Sequence, residues 1–70
     1  MRDVAINKEP VELYKILKFE GIVSSGAEAK SAVANGHVRV NGEVELQKRK
    51  KIVSGDTIQI GEEELRITLE

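Results

Sequence analysis

Seventy residues, 40% apolar and 33% charged, with no cysteine, no tryptophan and one each of Tyr and Phe, make one small domain, residues 1–70, with an aliphatic core. A chain of this size buries only about 60% of the surface it exposes when unfolded, so there is little room for a deep catalytic cleft. Without cysteine, neither disulfides nor thiolate metal sites can staple it.

The net charge of −1 conceals a division along the chain. Residues 30–51 carry Lys30, Arg39, Lys48, Arg49, Lys50 and Lys51 against Glu43 and Glu45, a balance of +4, while residues 52–70 carry Arg66 against Asp56, Glu62, Glu63, Glu64 and Glu70, a balance of −4. Such segregation can steer a polyanion to one face, although ordinary solubilising charge accounts for it too. The chain opens without a signal-peptide pattern, and no apolar run approaches the roughly 20 residues of a membrane span, so a cytoplasmic protein without membrane contact is expected.

In chain order, Val4, Ala5 and Ile6 suit a short strand, and Pro10 suits the first position of a helix, where its missing N–H costs nothing. From Val11 to Phe19, the spacing of Leu13, Ile16 and Leu17 is the stripe of an amphipathic helix. Gly21 supplies the left-handed residue that ends it. Ser25 with Glu28 fits a capping box at the start of a second helix, which is rich in alanine and stopped by Asn35 and Gly36. Both helices are short enough to need tertiary packing.

After Gly36 the period becomes 2, with Val38 and Val40 on one face and His37 and Arg39 on the other. Asn41-Gly42 is a strong type I′ hairpin signal, returning through Glu43, Val44, Glu45 and Leu46. The polar run from Gln47 to Lys51 leads to Ile52 and Val53. Ser54-Gly55-Asp56 turns into Thr57, Ile58, Gln59 and Ile60, and a turn at Gly61-Glu62 or Glu62-Glu63 leads into Leu65, Arg66, Ile67, Thr68 and Leu69. The order βααββββ predicts an α+β fold: two short α-helices packed on a small, mostly antiparallel sheet.

Leu13, Ile16, Leu17, Gly21-Ile22, Ser24-Ser25, Ala29, the run Gly36-His37-Val38-Arg39-Val40-Asn41-Gly42, and Gly55-Asp56-Thr57-Ile58 together resemble the S4 RNA-binding domain. The resemblance covers residues 11–60 and is strongest to the stand-alone, single-domain bacterial proteins of that family, through the Ser-Gly-Ala-Glu-Ala-Lys start and the basic run after Glu45. It implies the S4-like αL motif and a non-catalytic RNA-binding module acting on structured RNA, ribosomal or transfer. Two positions depart from the family pattern: Gly26 and Glu12 stand where many S4 domains carry basic residues. Lys30 and the run at residues 48–51 are placed to compensate.

The candidate RNA-binding residues are Ser24, Ser25, Lys30, His37, Arg39, Asn41, Lys48, Arg49, Lys50 and Lys51. Ser24, Ser25 and Gly26 begin a helix whose free N–H groups can bind an anion, and capping alone explains them equally well. Four consecutive cations repel one another, so a polyanion that relieves them is a natural partner; a solvated loop is the plain alternative. Each phosphate neutralised contributes a log–log salt slope of about −0.7 to −0.9.

Tyr14 and Phe19 are the only aromatics, so phosphate and 2′-hydroxyl geometry is favoured over base stacking, with low sequence specificity. No metal, cofactor or small-molecule substrate is expected, because the single His37 has no evident ligand partners and no phosphate-cradling glycine motif appears. The same basic face suits an acidic protein surface. A monomer is expected, with exposed sheet edges leaving association open.

Overall fold

The computed structural model describes every residue, Met1–Glu70. The elements are β1 (Arg2–Ile6), β2 (Val11–Glu12), α1 (Leu13–Phe19), α2 (Gly26–Ala34), β3 (Val38–Val40), β4 (Glu43–Val44), β5 (Lys51–Ile52), β6 (Thr57–Ile60) and β7 (Glu63–Leu69). Five strands form one sheet in the order β1-β7-β6-β3-β4, and β2 pairs with β5 in a separate two-stranded ribbon. All pairings are antiparallel except β1 with β7, which run parallel with Val4 beside Ile67. The α+β class and the mostly antiparallel sheet are as expected. Neither helix is long and apolar enough to cross a membrane.

Alternation aims Val4, Ile6, Val38, Val40, Ile58, Leu65 and Ile67 into the core from the sheet. Leu13, Ile16 and Leu17 of α1 and Ala29 and Val33 of α2 meet them, and Leu13, Leu17, Ala29 and Val33 are wholly buried. The core is aliphatic throughout, and no polar or charged residue is buried in it. Phe19 lies on the outer side of α1 with 70% of its surface exposed, while Tyr14 packs against the core edge.

The helix ends follow backbone chemistry. Gly21 (φ 72°) and Gly36 (φ 78°) adopt left-handed conformations just past α1 and α2. Ile22 N–H then donates to the Leu17 carbonyl and His37 N–H to the Ala32 carbonyl, which closes each last turn as a Schellman motif. Asn41 (φ 53°) and Gly42 (φ 86°) provide the two positive φ angles of the β3–β4 turn, as the sequence required.

Four local expectations change. The first helix begins at Leu13 rather than at Pro10, because Val11 and Glu12 pair with Ile52 and Lys51 as extended backbone. Pro10 therefore precedes the strand instead of opening the helix. The capping box is only half made: Ser25 Oγ accepts the Glu28 N–H at 3.1 Å, but the Glu28 carboxylate takes the hydroxyl of Ser24 at 2.7 Å instead of the Ser25 backbone. The return strand of the hairpin ends at Val44, although the Glu45 N–H still donates to the Val38 carbonyl of β3 at 2.9 Å.

Candidate nucleic-acid interface

An isolated seven-residue helix leaves its first N–H groups without partners. Its N-cap residue, Glu12, makes no side-chain capping bond. The partners come from the basic loop: Leu13 N–H donates to the Lys50 carbonyl at 2.9 Å and Tyr14 N–H to the Lys48 carbonyl at 3.1 Å. The loop is braced internally by Lys50 N–H on the Gln47 carbonyl, and Gln47 N–H donates to the Glu45 carboxylate. At its far end the fully buried Ile52 ties it to the core. Carbonyl groups at the positive end of a helix are electrostatically well placed. The run of four cations is thus held by its backbone, which leaves the side chains available to solvent.

That backbone divides the run. Lys48 and Arg49, with Lys30 from α2 and Ala34, Leu46 and Gln47, line one cleft of about 390 Å³. No carboxylate lines it. Lys30 Nζ sits 4.8 Å from the centre of the Tyr14 ring, a cation–π contact between α2 and α1 that steadies its ammonium group. Lys51, in β5, stands in register with Glu12 and lines a separate groove of about 780 Å³ between β1 and α1, shared with Lys8, Lys15, Glu12, Glu20 and Glu70. Cations and carboxylates balance there, three against three. Lys50 is exposed and lines neither the cleft nor the groove.

The remaining predicted residues lie elsewhere or are already engaged. Arg39 is exposed on the sheet face opposite the helices, in register with Gln59, and its guanidinium donates to the Gly42 carbonyl at 3.3 Å. His37 is exposed, and its backbone closes α2. Asn41 joins the turn to β6: its carbonyl oxygen accepts the Thr57 N–H at 2.9 Å, and its amide donates to Asp56 Oδ1 at 3.0 Å. The hydroxyls of Ser24 and Ser25 are both occupied around Glu28, whose carboxylate already supplies negative charge to the first turn of α2. Ser25 caps the helix, and Ser24 donates to the Glu28 carboxylate. Of the positions departing from the family pattern, Glu12 forms an ion pair with Lys15 at 3.2 Å. Gly26 opens onto free space, with nothing within 4 Å of where a Cβ would lie.

Sequence reading missed Leu46 and Gln47 of the cleft. Leu46 continues the alternation of Val44 in the sequence, which suits a strand and gave no sign that the structure leaves it 62% exposed. No three His, Asp or Glu side chains gather as metal ligands.

The S4 domain family model matches residues 4–68, reaching beyond the expected motif at both ends. The chain is 51% identical over 59 residues to YbcJ of Escherichia coli (strain K12), covering 83% of this chain and 84% of that one. The solution structure of E. coli YbcJ, described as revealing an αL motif involved in RNA binding, is similar with a TM-score of 0.75 and 43% identity, over 97% of this chain and 87% of that one. Tyrosine–tRNA ligase of Bordetella pertussis is 36% identical over 62 residues, which are 87% of this chain but only 15% of the ligase. The 30S ribosomal protein S4e of Thermoplasma acidophilum shares the fold, with a TM-score of 0.61 at 24% identity, over 84% of this chain and 31% of that one. With a family match across nearly all of its length and a half-identical relative of similar size, the chain belongs to the S4 domain family.

Proposed function

We propose that this protein is a non-catalytic RNA-binding module that recognises structured RNA, of the ribosomal or transfer class, through the cleft side of the basic loop. Lys30, Lys48 and Arg49 are its principal phosphate contacts, and Lys50 extends them. The observation that carries the reading is the set of three cations around one cleft with no carboxylate among its lining residues. Phosphate contacts of this kind give affinity without sequence information. The family and the αL motif of YbcJ support RNA over other polyanions.

Backbone anchoring strengthens the reading. A free loop would lose conformational entropy on binding, whereas this one is already ordered by Leu13 and Tyr14. Fluorescence anisotropy against a structured ribosomal RNA fragment, titrated at several salt concentrations beside a duplex DNA of matched length, tests the proposal. Saturable RNA binding, weaker DNA binding and a log–log slope of about −2 to −4.5, as expected for about three to five contacts, support it. Absence of RNA binding at low salt would overturn it.

A further inference from the structure

Leu46 contributes bare apolar surface to the lining of the cationic cleft. It is 62% exposed, and Val44 beside it is 47% exposed. Both lie across the turn that ends α2, with Leu46 Cδ2 3.9 Å and Val44 Cγ1 3.8 Å from the position a Cβ would take on Gly36. Ala34 completes an apolar floor, and Gln47 adds an amide able both to donate and to accept. Phosphates alone would need only the cations. An apolar floor, an amide and a guanidinium plane beside fixed positive charge are what a single unstacked nucleotide requires: a surface for the base, hydrogen bonds for its edge, and counter-charge for its phosphate.

We infer that the cleft bounded by Lys30, Leu46, Gln47, Lys48 and Arg49 accepts one unpaired nucleobase splayed from a bulge or loop of a structured RNA. The inference rests on the RNA-binding reading and narrows it, from paired RNA in general to a stem interrupted by an unpaired nucleotide. Leu46 and Ala34 pack against the base, Arg49 offers the stacking plane that the exposed aromatics do not supply at this site, and Gln47 meets the base edge. Lys30 and Lys48 take the flanking phosphates. The larger groove between β1 and α1 lacks this combination, since its three cations are matched by Glu12, Glu20 and Glu70.

The test uses three RNA hairpins at one salt concentration: a fully paired stem, the same stem with one bulged nucleotide, and the bulged stem with an abasic site at that position. Wild-type protein is expected to bind the bulged stem more tightly than the other two, on the order of tenfold, the effect of one well-packed base. A 2-aminopurine placed in the bulge should change its emission on binding. In Leu46→Ala the affinity ratio between bulged and abasic stems should fall toward one. Equal binding of all three hairpins by wild type would overturn the inference while leaving the RNA-binding reading intact. A preference that survives Leu46→Ala would overturn the assignment to this cleft. Failure of every hairpin to bind would remove both.

Discussion

The Tyr14 N–H donates to the Lys48 carbonyl at 3.1 Å, so the first turn of α1 and the basic loop complete each other's hydrogen bonding. The loop's position depends on carbonyl groups and on buried Ile52, and its charge on side chains that the fold does not use. Shape and charge at this site can therefore be altered separately.

The double substitution Lys48→Gln with Arg49→Gln should leave stability to urea unchanged within about 0.5 kcal/mol, or slightly raised, because exposed surface changes are usually small and like charges are relieved. The same protein should bind structured RNA with a salt slope shallower by about 1.4 to 1.8, two phosphate contacts fewer. A large loss of stability would show that the side chains, and not the backbone, hold the loop.

Ile52→Ala acts on the other half of that relationship. Removing a fully buried side chain should cost about 2–5 kcal/mol in denaturant unfolding, a large share of the margin of so small a domain. In hydrogen exchange, the Leu13 and Tyr14 amides should lose protection before those of β6 and β7, since their acceptors lie on the loop that Ile52 anchors. Protection lost evenly across the sheet and α1 would contradict this.

The turn signals were legible because each is a local demand of the backbone. Gly21, Gly36 and the Asn41-Gly42 pair sit where positive φ is needed, and their positions could be read without knowing the rest of the fold. The β2–β5 ribbon was not legible. It joins two-residue strands far apart in sequence, too short for any period, and it moves the start of α1 past Pro10 to Leu13. Charge was legible as a run of four cations, but its division between two grooves was not. That division follows from the pairing of Lys51 with Glu12, a long-range contact. The structural part played by Asn41 was not legible either: its side chain bonds Thr57 and Asp56, fifteen or more residues along the chain.

Asn41→Ala should accordingly lower stability by about 1–2 kcal/mol, from the loss of its solvent-exposed bonds to Thr57 and Asp56 and from placing Ala at a left-handed φ of 53°. Its effect on RNA binding by the folded protein should be small, with the salt slope unchanged. Parallel urea unfolding and anisotropy measurements check both halves. A full-stability variant with a reduced slope would make Asn41 a phosphate contact.

Gly26→Lys restores the cation that many S4 domains carry at the start of the second helix. The site has room for a side chain and no positive-φ requirement, and it lies one turn before Lys30 on the same face of α2. RNA affinity should rise, with the salt slope steeper by about 0.7 to 0.9. Unchanged binding would place the RNA away from the start of α2.

The most direct test of the cationic cleft compares charge reversals on its two sides. Salt-dependent anisotropy against one structured RNA would be measured for wild type, for Lys48→Glu with Arg49→Glu, and for Lys8→Glu with Lys51→Glu in the β1–α1 groove. Both pairs change net charge equally, so long-range attraction to the polyanion shifts alike and only local contact differs. The cleft reversal is expected to abolish measurable binding or flatten the slope by two contacts or more, while the groove reversal weakens binding modestly. Equal losses from the two pairs would contradict the account.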